Sequence, residues 1–262
     1  LAAVEEFQVN VAPFDVRHGN FVGADVNVVT KSGTNKYTGS AYYIWRNPSL
    51  VGKDAGQNKF DPGDFKFRTW GFTGGGPLPF FNFGDDGGPL CFSGKDQLFF
   101  FTGYEDELTT APGTTWEACP GTGCRTGNVT RVLASDLDQL SSYLKTNFNY
   151  DTGGYQGYPF NTPGKKFLFR TDYNVNVSNK VTFRYMHLDS STDVLMSNSS
   201  SLGFGNRRTR LDALNFQNSN YSILENIRSF VGEWTSTWGN NFSNSLLVGW
   251  TKQDESRGAI DN

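Results

Sequence analysis

The chain has 262 residues, a net charge of −3 and a pI of about 5.4, so it lacks the basic surface that a nucleic-acid-binding protein needs. No run of about 18 apolar residues is present, which excludes a transmembrane helix. Aromatic residues make up 15% of the chain and there are 30 glycines, although the mean hydropathy is only −0.48. This composition indicates an all-β protein, and a transmembrane β-barrel is one version, because only alternate residues of its strands face lipid.

Seven segments alternate with a period of two, as strands do because successive side chains point to opposite faces. In the fourth segment, Phe167 and Phe169 share one side while Arg170 and Asp172 share the other. An aromatic side facing lipid and a polar side facing a watery lumen would explain the pattern, and so would a soluble antiparallel sheet with one face on a core. The segments are about 37–46, 65–74, 97–105, 166–174, 180–189, 225–238 and 242–251.

The connections between these segments are alternately long and short. Long loops are predicted at about 47–64, 106–165 and 190–224, and short turns at about 175–179 and 239–241. Outer-membrane barrels place long loops outside the cell and short turns on the periplasmic side, and loops this long are uncommon in compact soluble domains. The segment 75–96 departs from the rule, because it should be a short turn and is instead an insertion rich in Gly, Pro and Phe.

The opening of the chain carries the most specific motifs. They are Val-Glu-Glu-Phe-Gln-Val from Val4, Gly-Ala-Asp-Val-Asn-Val-Val-Thr-Lys-Ser-Gly-Thr-Asn from Gly23, and Tyr-Thr-Gly-Ser from Tyr37. Together they resemble the end of the plug domain, and the passage into the barrel, of TonB-dependent receptors. The resemblance is closest to the Oar-like branch, whose members often carry a carboxypeptidase-regulatory-like domain. That branch usually has Gly-Gly where this chain has Gly23-Ala24, and it often has His in place of Thr38.

Further motifs follow in the order that this family shows. Gly-Gly-Gly-Pro-Leu from Gly74 resembles its Gly-Gly-Pro turn, and Lys-Asp-Gln-Leu-Phe-Phe-Phe from Lys95 resembles its next strand. Arg-Thr-Asp-Tyr-Asn from Arg170 and Lys-Val-Thr-Phe-Arg-Tyr from Lys180 resemble a later hairpin. Each motif alone is weak, and their common order carries the resemblance across most of the chain outside the long loops.

The resemblance implies two parts: residues 1–35 as the C-terminal end of a plug domain, and residues 36–262 as the N-terminal part of an outer-membrane β-barrel. Seven strands cannot close such a barrel, so this interpretation expects the strands to continue past Asn262. The start, Leu1 to Glu6, lacks the basic and apolar stretches of a signal peptide, and we expect a segment upstream of it.

The function that the resemblance implies is active import of a substrate across the bacterial outer membrane. The expected partners are outer-membrane lipid, a TonB-type inner-membrane energising complex, a surface lipoprotein, and a siderophore, cobalamin, oligosaccharide or peptide as substrate. No cofactor is expected. Polar plug residues are expected to meet polar residues of the wall, and ordinary solvated charges are the alternative. The plug residues are Arg17, Asn27 and Lys31, and the wall residues are Arg46, Glu105, Arg170 and Glu233.

The longest predicted loop holds the candidate ligand-binding residues. Aromatic faces beside amides suit sugars and peptides, while packing of the loop on itself would use the same residues. The candidates are Trp116, Tyr143, Tyr150, Tyr155 and Tyr158.

Three cysteines are present. Cys119 and Cys124 flank the turn sequence Pro-Gly-Thr-Gly, which suits a small disulfide in an oxidising compartment, and two free thiols are the alternative. Cys91 has no predicted role.

Nothing in the sequence predicts catalysis or metal binding. The two histidines, His18 and His187, are far apart, and no zinc-protease, nucleophile-elbow or Cys-x-x-Cys motif occurs. We therefore expect that the protein is not an enzyme.

Two other functions remain open at this point. A surface barrel could bind or adhere through its long loops without active uptake. A soluble all-β carbohydrate-binding module is the third hypothesis, but it would expose apolar patches such as the face shared by Phe230, Trp234 and Trp238.

Overall fold

The computed structural model describes residues 2–11, 24–52, 54–56, 58–59, 63–78, 96–124, 127–197, 207–239 and 241–260. Two short 3-10 turns, Pro48–Leu50 and Gln217–Ser219, accompany one helix and thirteen strands in these ranges. The elements are β1 (Val4–Val11), β2 (Ala24–Thr30), β3 (Thr38–Arg46), β4 (Asp54–Ala55), β5 (Asn58–Lys59), β6 (Lys66–Pro77), β7 (Leu98–Pro112), β8 (Glu117–Cys119), β9 (Val129–Leu133), α1 (Ala134–Phe148), β10 (Pro159–Asn176), β11 (Asn179–Val194), β12 (Tyr221–Trp238) and β13 (Phe242–Ala259).

The largest element is a seven-stranded sheet, which we call the wall sheet. Its order is β3-β6-β7-β10-β11-β12-β13, and each strand pairs antiparallel with the next. These are the seven segments that the alternation predicts, and the all-β antiparallel fold class is confirmed. Their pairing is a meander, because each strand lies beside the wall strand that precedes it in the chain.

A separate two-stranded sheet, the N-terminal sheet, is formed by β1 and β2. It lies against one face of the wall sheet, and we call this the inner face. The inner face carries charged side chains, including Arg170 and Asp172, beside apolar ones such as Leu168, and the opposite side is the outer face. The alternation of the sequence thus separates two surfaces of different chemistry.

The outer face carries the aromatic residues. Phe169, Tyr185, Phe230 and Trp250 form one row across four strands. Ring centroids are 4.6 Å apart for Tyr185 and Phe230, and 5.6 Å apart for Phe230 and Trp250. Such aromatic pairs stabilise a sheet by roughly 0.5–1.5 kcal/mol each beyond the area that they bury.

The aromatic residues of the outer face together form a band, which we call the aromatic band, and it crosses the strands at an angle to these rows. The row that contains Trp250 on β13 passes through Gly74 on β6 to Gly39 on β3. On β3, however, the outward aromatic residues are Tyr43 and Trp45, further along the strand toward the long loops. A band that shifts from strand to strand is the geometry of barrel strands that are tilted relative to the barrel axis.

The wall strands extend further into the long connections than the sequence predicts. β7 continues to Pro112 and β10 begins at Pro159, so the connection predicted at 106–165 is 113–158 and contains α1. The connection predicted at 190–224 shortens in the same way to 195–220, whereas β6 begins at Lys66, one residue after the predicted start of its segment. Beyond the aromatic band both faces of a strand meet water, so pairing continues without an alternation that a sequence could reveal.

On the opposite edge the turns are short. Val177 and Ser178 join β10 to β11 within the segment predicted as a turn, and β12 leads into β13 through 239–241. β6 runs to Pro77, so the segment predicted as an insertion at 75–96 begins inside a strand. Residues 79–95 of that segment, with Cys91, lie outside the described residues, and so does His18.

We expect the two faces to respond oppositely to a lysine. Val248 and Leu247 are neighbours on β13, and Leu247 lies on the inner face opposite Glu233. Val248→Lys should destabilise the folded protein in a bilayer by about 2–4 kcal/mol, since it places a charge in lipid. Leu247→Lys should change stability by less than about 1 kcal/mol, because it gains a carboxylate partner. Denaturant titration in vesicles measures both, and equal losses would contradict the assignment of the faces.

Candidate functional site

The N-terminal sheet is anchored to the inner face by Arg170 of β10. Its Nη1 donates to the backbone carbonyl of Thr30 at 2.7 Å and contacts the Thr30 hydroxyl at 3.3 Å. Its Nε and Nη2 donate to the two carboxylate oxygens of Asp172, at 2.8 and 2.9 Å. The planar guanidinium thus binds Asp172 of the wall through Nε and Nη2, and it binds Thr30 of the N-terminal sheet through Nη1.

Asp172 holds the guanidinium in this orientation. The residue is only 2% exposed, and its carboxylate also accepts a hydrogen bond from the Thr182 hydroxyl at 2.9 Å. The Lys180 ammonium lies 3.4 Å from it. A buried carboxylate is stable only when its oxygens are bonded in this way, and these bonds hold the Arg170 guanidinium in the orientation that reaches Thr30.

A second polar cluster lies on the inner face, nearer the long loops. The Tyr42 hydroxyl donates to Glu105 at 2.5 Å, and Lys166 donates to Glu105 at 2.8 Å and to Glu107 at 3.2 Å. Gly71 makes room for the tyrosine ring, because a Cβ at this position would come within 2.8 Å of the Tyr42 hydroxyl. The inner face therefore offers paired charges on both sides of the N-terminal sheet's contact area.

A cavity of about 370 Å³ separates part of the N-terminal sheet from the wall. Its lining includes Val28 of β2 and Ala3, which directly precedes β1. From the wall it includes Gly103, Leu168 and Ile227. The two sheets also approach each other at Gly103, where an added Cβ would lie 3.5 Å from the Cβ of Ala3. The contact in the described residues is thus local, with polar anchoring at Arg170 and unfilled space beside it.

The predicted contact between the N-terminal region and Arg170 is found, and its partner on β2 is Thr30. Of the predicted plug residues, Asn27 and Lys31 are not the groups that Arg170 binds, and Arg17 lies outside the described residues. A backbone carbonyl accepts the main hydrogen bond, so the identity of the side chains on β2 could not have revealed it.

At the far end of the wall, two long connections pack into one body, which we call the loop unit: residues 113–158 and 207–220. Its core consists of Ala118, Leu137 and Leu214, each less than a tenth exposed. Leu137 lies on the buried side of α1, and Leu214 comes from the second connection. Hydrophobic burial therefore joins segments that are far apart in sequence.

Backbone hydrogen bonds join the same two connections. The amide of Arg131 donates to Leu211 at 2.7 Å, and the amide of Gln217 donates to Gly154 at 2.7 Å. An ion pair of 2.9 Å links Arg131 to Asp212. The loop unit is thus cross-linked by main-chain pairing as well as by its core.

The predicted disulfide between Cys119 and Cys124 is confirmed. The two Cα atoms are 5.7 Å apart, within the usual range for a disulfide. Cys119 ends β8, which pairs parallel with β9, and α1 begins directly after β9. The bond therefore closes the turn that follows one strand of the loop unit.

The five aromatic residues predicted to bind a ligand fall into two groups. Trp116 and Tyr155 pack against the core of the loop unit, and Tyr158 is only 4% exposed. Tyr143 and Tyr150 are 57% and 48% exposed at the end of α1 and just after it. All five lie in the loop unit, but these two present most surface to solvent. Ligand binding by any of the five stays a prediction.

Several groups in the loop unit have displaced pKa values. Burial raises the pKa of the Tyr158 phenol, and a hydrogen bond from Asn220 opposes part of that rise. Removal from water also raises the pKa of Tyr155, whose hydroxyl donates to Asp138 at 3.0 Å. The Gly153 amide, followed by the Lys145 ammonium, lowers the pKa of Asp151.

No group of three or more His, Cys, Asp or Glu side chains that could hold a metal occurs in the ranges that the structure describes. Within the same ranges, no helix is long and apolar enough to cross a membrane. His187 lies on the outer face of β11 and contacts Asn226 at 3.1 Å.

Residues 29–262 of the chain match the sequence model of a protein family that is described as outer membrane beta barrel domain. The matched range includes all seven wall strands. The match confirms the barrel fold class and the location in the bacterial outer membrane that the sequence predicts. No curated protein and no solved structure matches the chain.

Arg170→Gln should loosen the N-terminal sheet. The substitution removes the charged donor to Thr30, and hydrogen bonds to charged groups contribute about 1.5–3 kcal/mol. Amide hydrogen exchange in β1 and β2 should therefore become at least about tenfold faster. Lys180→Gln is the matched control, because Lys180 contacts Asp172 from the wall side only. Unchanged exchange in Arg170→Gln would contradict the anchoring role.

The loop unit should lose stability in alkali through Tyr158. The pKa of its phenol is raised in the folded state, so its contribution is complete below the unfolded value of 10.0 and is lost as pH rises through the folded pKa. Protease resistance of the loop unit, followed from pH 9 upward, should fall in the wild type, and Tyr158→Phe should flatten the pH dependence. A profile that is identical in the two proteins would exclude Tyr158 as the titrating group.

Proposed function

The chain belongs to the outer membrane β-barrel domain family, and from that membership we propose that it is part of a TonB-dependent receptor that imports a substrate actively. The observation that carries the proposal is the N-terminal sheet on the inner face, held by Arg170. A passive pore has no need of a separate element inside its wall. An energised importer needs one, because the element closes the path until it is moved.

The nature of this contact supports movement of the N-terminal sheet. It is anchored by the hydrogen bonds from Arg170, and beside them lies a cavity of about 370 Å³ rather than a packed core. Two or three hydrogen bonds to a charged group amount to a few kcal/mol. Mechanical work from a partner can break such a contact without unfolding the wall, because long antiparallel ladders join strands such as β11, β12 and β13.

In this proposal residues 1–35 are the end of a plug domain, and residues 36–262 are the first part of a barrel. A TonB-type inner-membrane complex moves the plug, and the substrate is a siderophore, cobalamin, an oligosaccharide or a peptide. The loop unit receives the substrate through exposed aromatic residues such as Tyr143 and Tyr150, and a surface lipoprotein can cover it. The protein performs no catalysis.

A second candidate is a surface barrel that binds or adheres without uptake. The observation that favours it is the loop unit itself, which is a packed, disulfide-linked body rather than a set of loose loops. The soluble carbohydrate-binding module is disfavoured by the outer-membrane location.

A reversible cross-link separates transport from binding. The Cβ atoms at positions 3 and 103 would lie 3.5 Å apart, which suits a disulfide, so Ala3→Cys with Gly103→Cys should lock the N-terminal sheet to β7. In cells that carry the full-length protein, the oxidised double variant should bind a labelled substrate at the surface but accumulate none. Reduction should restore accumulation, and an uncoupler should abolish it again.

Each single-cysteine variant and the reduced wild type serve as controls, because the wild type already contains the Cys119–Cys124 bond. Accumulation that continues in the locked protein would exclude a moving plug. Surface binding without any energy-dependent accumulation in the wild type, across all four substrate classes, would favour the binding barrel instead.

A further inference from the structure

A row of basic side chains crosses the outer face just beyond the aromatic band. His187 on β11 pairs with Arg228 on β12, and Arg228 pairs with Lys252 on β13. All three project from the same face as Tyr185, Phe230 and Trp250, which form the adjacent row two residues nearer the short turns. The sheet register alone therefore sets cationic groups beside a strip of aromatic rings.

The juxtaposition of Arg228 and Lys252 is unfavourable unless an anion offsets it. Directly opposed residues have Cβ atoms about 4.5–5.5 Å apart, and like charges in that position destabilise an antiparallel pair. Lys252 has a partial partner in Asp254 at 2.8 Å. Within the described part of the chain, no carboxylate pairs with Arg228. Two cations and an imidazole thus share one row, and among the described residues the carboxylate of Asp254 alone is bound to one of them.

The position of this row in the membrane identifies the source of the anion. Tyr and Trp are enriched at the membrane–water interface, so the row of Tyr185 and Trp250 marks the outer end of the acyl-chain region. The basic row is one step further from the bilayer centre, on the side of the long connections. In this family the long connections are outside the cell, so the row faces the headgroups of the outer leaflet.

We propose that His187, Arg228 and Lys252 bind the phosphate of a lipid headgroup in the outer leaflet. The planar guanidinium of Arg228 offers two parallel N–H donors to one phosphate, and the Lys252 ammonium adds a point charge from the next strand. The acyl chains of the same lipid would lie against Phe230 and Trp250. The proposal rests on the outer-membrane location and is independent of transport.

The neighbouring charges define how the site can be tuned. The next row outward holds Lys165, Asp189, Asn226 and Asp254, with Asp106 on β7. Asp254 competes with the lipid phosphate for Lys252, since it lies 2.8 Å from that ammonium. Removing the Asp254 charge should therefore strengthen lipid binding, while removing the two cations should weaken it.

Binding of bisphosphorylated lipid A to the full-length protein, in neutral detergent at low salt, tests the proposal. One cation beside an anionic lipid surface changes affinity about fivefold, so Arg228→Gln with Lys252→Gln should bind roughly 25-fold more weakly. Asp254→Asn should bind a few times more tightly. The matched control is Arg131→Gln with Lys145→Gln, which removes the same charge from ion-paired, exposed positions of the loop unit and should leave affinity unchanged.

Four outcomes would overturn the proposal. They are a double variant within about twofold of the wild type, a control that weakens equally, equal affinity for the same lipid without its phosphates, and displacement of the lipid by millimolar inorganic phosphate. The last outcome would mean that the row recognises a free anion rather than a lipid. Heat-dependent gel mobility reports folding of each variant. If the double variant does not fold, Asp254→Asn decides the question, because an unchanged affinity there also contradicts the site.

Discussion

The structure depends on one constraint: in lipid, a backbone amide or carbonyl must find its partner within the protein. The wall sheet meets this constraint for its five inner strands by pairing each with a strand on either side, while β3 and β13 each pair on one side within the described residues. Once that register is fixed, the two faces follow, because neighbouring residues on a strand must point to opposite sides. Phe169 then joins the aromatic row on the outer face, and Arg170 is carried to the inner face.

The functional features are consequences of this separation. Arg170 can bind the N-terminal sheet only because the inner face is polar and because Asp172 holds its guanidinium in place. The strands extend past the aromatic band, and there their ends carry the loop unit away from the bilayer. The basic row that contains Arg228 lies between these two environments, at the boundary where an anionic headgroup is available. Three chemically distinct surfaces thus share one continuous sheet.

Much of this architecture could be predicted from the sequence, because a period of two is preserved wherever one face meets lipid. The same reasoning could not locate the strand ends, since the alternation fades in water while pairing continues. It also missed α1, whose apolar spacing at Ala134, Leu137 and Leu144 was visible within a segment treated as a loop. Contacts such as Arg131 with Leu211, and Arg170 with the Thr30 carbonyl, involve backbone atoms of distant segments and leave no local pattern. The Cys119–Cys124 disulfide, by contrast, could be predicted, because the turn residues that favour it lie between the two cysteines.

All of these features require that the aromatic face of the wall sheet meets lipid while the loop unit meets water. The most direct test is fluorescence quenching of single-tryptophan variants of the full-length protein in vesicles, with the other five of the chain's six tryptophans replaced by Phe. One variant keeps Trp250 of the outer face, and the other keeps Trp116 of the loop unit. We expect strong quenching of Trp250 by lipids with brominated acyl chains and little effect on Trp116. Equal quenching of both, or quenching of Trp116 alone, would contradict it.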